Sequence, residues 1–266
     1  MKRHLFACLA VLGFTGAAFA GPAGVWIVNG QNVYRSTNGG TSFSNTGTFA
    51  SGPNIVALGY HHGSGTFYAS GANGDLYSVN GLDTAAPTLN FVVTLGTGSI
   101  SFDFVGDTFY GVRGNDLISI ADITSPSAPT VINSNTGYNN VPATGLLNGS
   151  NYYGMTGDGQ VIELDLGGGA STLIGNSGLG NLSIAGGSEA GGEFHAAVGR
   201  AADNLIRYGS INTTTGAWNE IGSFDPGSFN NFRPGTMGMT VVVIPLPGAA
   251  GLAMAGLGMV AIRRRR

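Results

Sequence analysis

The stretch TFYASGANGDLYSVN, residues 66–80, has a form that recurs along the chain. An aromatic-rich segment leads into a Gly, Asn or Asp turn, and a segment of alternating apolar residues follows. The other copies are VWIVNGQNVYRS (25–36), TFYGVRGNDLISIA (108–121), NYYGMTGDGQVIELD (151–165) and EFHAAVGRAADNLIRYG (193–209). Alternation broken by short turns of this composition is typical of β-hairpins. We therefore expect a series of hairpins of one kind.

The spacing of the copies predicts the architecture. The equivalent residues lie 42, 42, 43 and 42 positions apart: Trp26, Tyr68, Tyr110, Tyr153 and His195. Each period has room for one strand before the hairpin, such as NIVALGY (54–60), and one after it, such as LNFVVTLG (89–96). Four strands in about 42 residues is the size of a β-propeller blade. The sequence therefore predicts an all-β, five-bladed β-propeller over residues 21–244.

The two ends of the repeat predict how the ring closes. The first hairpin has no leading strand before it, and TMGMTVVVI (236–244) is a leading strand with no hairpin after it. We predict that residues 237–244 pair beside residues 25–29 and so complete one blade. Such pairing of the N- and C-terminal strands leaves no open edge for strand addition.

One turn carries a family resemblance. YRSTNGGTSF, residues 34–43, resembles the Asp-box of sialidase-type propellers, with Asn38 for the usual Asp and Phe43 for the usual Trp. The resemblance implies a folding turn between two strands rather than a catalytic site.

Composition excludes several classes of function. Residues 21–244 contain five arginines, no lysine and fourteen acids, a net charge of −9, so a nucleic-acid partner is not expected. Residues 1–20, MKRHLFACLAVLGFTGAAFA, have a basic start, an apolar run and an Ala18-x-Ala20 site, which together predict a signal peptide cut before Gly21. The single cysteine of the chain, Cys8, lies in this segment. The mature chain would have no thiol, three histidines and no spaced acidic loop, which predicts no metal and no cofactor.

The tail IPLPGAAGLAMAGLGMVAIRRRR, residues 244–266, has three parts in a fixed order. Pro245, Leu246 and Pro247 come first, then fifteen apolar or small residues, then the cluster Arg263, Arg264, Arg265 and Arg266. As a helix the apolar run would be about 22 Å long, short for a span, and the arginines would stay cytoplasmic.

This order resembles the PEP-CTERM sorting signal, with Leu246 where the usual motif has Glu. The resemblance implies that residues 245–266 form a short transmembrane sorting helix, held transiently in the inner membrane. It also implies processing by an exosortase-like enzyme, a membrane-embedded cysteine protease or transpeptidase, and delivery to the cell surface or exopolysaccharide matrix of a Gram-negative-type bacterium. A plain C-terminal membrane anchor is the other interpretation.

Candidates for chemistry are few. Asp103, on the leading strand ISFDFVG (100–106), is the one candidate catalytic residue, because leading strands line a propeller channel; we expect no acid on the other leading strands. His61 and His62 are interpreted as loop histidines.

The first expectation is a non-enzymatic exported protein of the surface or matrix that binds polysaccharide through exposed aromatics and Asn, Ser and Thr loops. The alternative is a hydrolase or lyase acting on sugars or lactones at the channel.

Overall fold

The computed structural model of the protein describes residues 24–97, 100–138, 140–147, 151–182, 184–190, 192–200, 204–227 and 237–242. The predicted signal peptide (1–20) and sorting segment (245–266) lie outside the described residues. The described residues form strands and turns and include no helix, so none that would be long and apolar enough to cross a membrane.

The described strands form five four-stranded antiparallel sheets, which confirms the five-bladed β-propeller. Blade 1 contains β1 (Gly24–Asn29), β2 (Asn32–Ser36), β3 (Ser44–Thr48) and the last strand, β20 (Met237–Val242). Blade 2 contains β4 (Ile55–His61), β5 (Thr66–Gly71), β6 (Asp75–Asn80) and β7 (Thr88–Thr94). Blade 3 contains β8 (Ile100–Val105), β9 (Thr108–Arg113), β10 (Asp116–Ile120) and β11 (Thr130–Asn133). Blade 4 contains β12 (Ala143–Leu147), β13 (Asn151–Met155), β14 (Gln160–Leu164) and β15 (Thr172–Asn176). Blade 5 contains β16 (Ile184–Ala190), β17 (Glu193–Arg200), β18 (Leu205–Ile211) and β19 (Trp218–Phe224).

The predicted closure of the ring is confirmed. Strand β20 pairs antiparallel with β1, from Gly24 opposite Val242 to Asn29 opposite Met237. Around the centre β20 contacts β4, β4 contacts β8, β8 contacts β12, β12 contacts β16, and β16 contacts β20. The last strand of the described chain is therefore the innermost strand of the first blade.

The core consists of layers between neighbouring blades. In the described residues a separate cluster of buried side chains lies between each pair of consecutive blades, including blades 5 and 1. Strand β20 supplies Met237, Met239 and Val241 to the cluster that joins blade 5 to blade 1. Each blade thus buries one face on each of its two neighbours, and the closed ring leaves no blade face without a partner.

The repeat positions predicted from the sequence coincide in the structure. The repeat residues all lie on the second strand of their blades, and each faces a residue of the innermost strand. The pairs are Trp26 with Thr240, Tyr68 with Gly59, Tyr110 with Asp103, Tyr153 with Gly145, and His195 with Ser188. Each following turn contains a described residue with positive φ: Gly30, Gly74, Gly114, Gly159 and Asn204. These residue types tolerate that conformation, so the turn prediction is confirmed.

A β-bulge, which the repeat pattern does not predict, recurs in the outermost strand pair of all five blades. The register shifts between Val33 and Tyr34 in blade 1 and between Leu76 and Tyr77 in blade 2, with equivalent shifts in the other blades. The extra residue on each outer strand is β-branched: Thr46, Val92, Ile132, Ile174 and Ile221. Bulges twist an edge strand away from regular pairing and so protect it from adding further strands.

The Asp-box-like segment is the turn between β2 and β3, as its resemblance implies. The Ser36 hydroxyl accepts from the Gly40 N–H at 2.9 Å, and the Asn38 Oδ1 accepts from the Ser42 N–H at 3.1 Å. Phe43 stacks on Phe224 and meets Tyr208 edge-on, with ring centroids 4.8 and 5.9 Å apart. The turn therefore attaches blade 1 to blade 5.

Candidate functional site

Asp103 lies on the innermost strand β8, as predicted, but its carboxylate is bound by backbone groups. Its Oδ1 accepts from the Phe104 N–H at 2.9 Å, and its Oδ2 accepts from the Glu189 N–H at 3.3 Å. Glu189 is on β16, which is separated from β8 around the ring by β12. With only 9% of its surface exposed, Asp103 connects two strands across the centre of the propeller.

The expectation that the other leading strands carry no acid is wrong, because Glu189 lies on β16. Strand β16 extends to Ala190, past the glycines Gly186 and Gly187 at which the sequence pattern predicts its end. The Glu189 carboxylate accepts from the Gly192 N–H at 2.6 Å, and so it holds the turn that follows β16. Both carboxylates at this end of the innermost strands thus have backbone donors as partners.

The centre of the ring leaves little room at several points. A β-carbon placed on Gly238 of β20 would lie 2.8 Å from the Leu58 nitrogen of β4, and one on Gly186 would lie 2.9 Å from the Met239 nitrogen. Tyr152, fully buried, directs its hydroxyl to the Tyr110 carbonyl at 3.1 Å, and burial raises the pKa of Tyr152 well above its usual value. The close backbone approach at Gly238 and Gly186 favours packing over a catalytic site there, and the raised pKa keeps the buried Tyr152 of β13 a hydrogen-bond donor.

His61 is not a loop histidine, so that interpretation is wrong. It is the last residue of β4, and 1% of its side chain is exposed. Its Nε2 lies 2.8 Å from the Gly106 carbonyl and 3.0 Å from the Asp107 Oδ1, both in the turn between β8 and β9, and its Nδ1 lies 2.8 Å from the Ser64 hydroxyl. The imidazole therefore connects blade 2 to blade 3 at the face where the innermost strands end, here called the upper face.

We expect His61→Ala to lower the free energy of unfolding by about 2–4 kcal/mol, because it opens a cavity beside Tyr68 and Phe104 and removes the hydrogen bonds to the turn of blade 3. His62→Ala is the matched control, since its exposed ring makes only an edge contact with Tyr60 and its loss should cost within about 0.5 kcal/mol. Urea unfolding of the two variants measures the difference. Equal midpoints would contradict the role of His61.

A cleft of about 530 Å³ opens at the opposite, lower face, where the innermost strands begin. Three segments around blade 4 form it: the connection from β11 to β12, the turn between β13 and β14, and the connection from β15 to β16. We call it the amide cleft and define it by its lining residues: Gly137, Tyr138, Asn140, Thr156, Gly157, Asp158, Gln160 and Asn181. Its volume is within the range of about 300–1,000 Å³ that is usual for small-molecule sites.

The backbone of the amide cleft is well held. The Gly157 N–H donates to the Asn140 carbonyl at 3.0 Å, and the Leu182 N–H donates to the Gly157 carbonyl at 2.8 Å. The Thr156 hydroxyl donates to the Asp158 carboxylate and accepts from the Gln160 N–H. These bonds fix the three segments relative to one another, so the cleft is formed before any ligand arrives.

No sequence prediction located this cleft. Asp158-Gly159 was recognised only as a hairpin turn, and the other polar residues lie on connections between blades. The signal that was present is the polar and aromatic run NTGYNN, residues 135–140, in a short connection. Among the described residues, no group of three or more His, Cys, Asp or Glu side chains is placed to hold a metal ion.

The comparisons with known proteins identify only a general likeness of fold. No family model and no curated protein matches the chain. A structural genomics protein of unknown function from Bacteroides thetaiotaomicron VPI-5482 is 11% identical with a TM-score of 0.45, over 74% of this chain and 64% of that one. YCF48 bound to D1 peptide is 12% identical (TM-score 0.40; 76% and 63%), and U3-55K is 13% identical (TM-score 0.40; 73% and 62%). This chain thus spans less than two thirds of the length of each, and at these scores nothing about its site follows from them.

Proposed function

We propose that this is an exported, non-enzymatic protein of the cell surface or extracellular matrix that binds polysaccharide. An exosortase-like enzyme processes its C-terminal segment after transient insertion in the inner membrane. The proposal combines the signal-peptide pattern of residues 1–20, the order of residues 245–266 and the polar cleft on the propeller. A propeller fold by itself is compatible with many functions, so the argument depends on these particular features.

One structural observation supports processing in particular. The last described strand, β20, ends at Val242, just before Pro245, and it already completes the ring. A cut at residues 245–247 would therefore remove no described strand. The two prolines would keep the cut segment extended, since proline cannot continue a helix or donate to a strand.

The intact mass of the surface-associated protein from its native cells tests this proposal. We expect a mature species that lacks Arg263 to Arg266, whether its new end is free or joined to another molecule. A variant with Pro245→Ala and Pro247→Ala is expected to retain the full tail, and it serves as the comparison. If most of the mature wild-type protein extends to Arg266, the tail is a plain membrane anchor and the sorting proposal fails.

The alternative, a hydrolase or lyase acting on sugars or lactones at the channel, rested on Asp103. Its carboxylate receives two backbone N–H groups and joins β8 to β16. This arrangement favours a structural role for Asp103, so we keep the non-enzymatic function as the proposal.

A further inference from the structure

We propose that the amide cleft binds an uncharged stretch of polysaccharide. This inference names a site and a ligand class for the polysaccharide binding proposed above, and in that respect it depends on the proposed function. It does not depend on how the C-terminal segment is processed.

The first argument is the supply of uncommitted hydrogen-bonding groups. Within the described part of the chain, the side-chain amides of Asn140, Gln160 and Asn181 and the hydroxyl of Tyr138 make no hydrogen bond, although the backbone of their segments is held. Each amide offers two donors and an acceptor with two lone pairs. Three amides and one hydroxyl around one preformed cleft match a ligand that both donates and accepts at closely spaced positions.

A sugar ring has these properties. Its neighbouring hydroxyls each donate and accept, so they suit side-chain amides and a carboxylate better than they suit purely apolar or purely cationic sites. The half-buried ring of Tyr138 adds a flat apolar surface with a polar end, and such a ring packs against the C–H face of a sugar while its hydroxyl stays solvated. The cleft therefore combines the two kinds of contact that a polyhydroxylated ring offers.

The charge of the cleft selects among saccharides. Among the described residues that line the cleft, Asp158 is the one carboxylic acid, and there is no lysine, arginine or histidine. A uronate or sulfate group would meet a carboxylate and no cation that could pair with it, and like charges at close range repel. We therefore assign the cleft to neutral hexose units and not to acidic polysaccharide.

The position of the cleft suits a polymer rather than an enclosed small molecule. It is an open cleft on the lower face, between loops, so it does not enclose its ligand. Val242, where the described propeller ends, is at the upper end of β20. The described part of the propeller thus ends at the face opposite the cleft.

Binding of the full-length chain, purified in mild detergent, to immobilised oligosaccharides tests the inference. The probes are cello-, malto- and manno-oligosaccharides as neutral ligands, with oligogalacturonate as the acidic comparison. We expect binding to at least one neutral series, weaker or no binding to oligogalacturonate, and a loss of roughly tenfold in affinity for Tyr138→Ala and for Gln160→Ala. The Gln160 side chain makes no internal hydrogen bond, so Gln160→Ala should keep the wild-type melting temperature. Tyr138 packs against the cluster between blades 3 and 4, so Tyr138→Ala should melt somewhat lower but stay folded at the assay temperature. Asn140 is left unchanged because its φ of 57° would strain most other residues.

Phe91→Ala and Asn90→Ala are the matched controls, since they remove an exposed aromatic and an exposed amide from β7, away from the cleft. They should leave binding unchanged. If the Tyr138 and Gln160 variants bind the neutral oligosaccharides as tightly as the wild type, the amide cleft is not the binding site, although the protein still binds polysaccharide. Preference for oligogalacturonate would overturn the ligand class. Binding to none of the probes would overturn the inference, and the mass of the mature tail would still decide the sorting proposal separately.

Discussion

A chain truncated after residue 236 is expected to lose cooperative folding. The truncation removes β20, all six residues of which are buried, and exposes the inner edge of β1 along its whole length. It also removes the side chains that β20 gives to the cluster between blades 5 and 1. At about 1.5–3 kcal/mol for each buried methionine or valine, this loss is comparable with the whole stability of a typical domain, about 5–15 kcal/mol.

The matched control is a chain truncated after residue 244, which keeps β20 and removes only the predicted sorting segment. Thermal melting followed by circular dichroism should show a sharp transition for this chain and none for the shorter one. A cooperative transition in the chain that ends at residue 236 would mean that the ring does not depend on joining its two ends.

The closure and the blade count could be predicted because they follow from local patterns. Each hairpin is recognisable from the alternation of apolar residues around a Gly, Asn or Asp turn, and the period is regular enough for the blades to be counted. The single strand predicted at residues 236–244 could complete only the first blade, since the first hairpin is the one without a leading strand. Repetition of one local pattern thus determines the topology without any knowledge of tertiary contacts.

The roles of single polar residues could not be predicted in this way. His61 was assigned to a loop because its burial depends on a turn of the next blade, where Gly106 and Asp107 supply its partners. The repeat pattern predicts the strand of Asp103, but one of the two backbone N–H groups that its carboxylate accepts from belongs to β16, 86 residues later. The amide cleft likewise forms from three segments that are separate in sequence. These features arise from contacts between blades, and the repeat pattern describes only what happens within one.

Gly222→Ala is expected to be among the most damaging substitutions by alanine on the outer strands. Gly222 follows the bulge of β19, and a β-carbon added there would lie 2.3 Å from the carbonyl oxygen of Gly40, in the Asp-box-like turn of blade 1. The obstacle is backbone held by the hydrogen bonds of that turn, so it cannot move aside as a flexible side chain would. Forcing a methyl group into such a packed interface costs about 1–3 kcal/mol and occasionally more, and we expect about 3 kcal/mol here.

The same position in the other blades supports this reasoning. Gly47 and Gly175 are its equivalents in blades 1 and 4, and in both a β-carbon would lie within 2.3 Å of a carbonyl oxygen in the next blade's turn. Blades 2 and 3 have Val93 and Asn133 there, so the fold requires glycine only where the neighbouring turn comes closest. Ser223→Ala, at the exposed next position, is the control and should change the free energy of unfolding by less than about 0.5 kcal/mol. Urea unfolding of both variants measures the difference, and a Gly222→Ala protein as stable as Ser223→Ala would show that the outer strand and the turn of blade 1 are not in rigid contact.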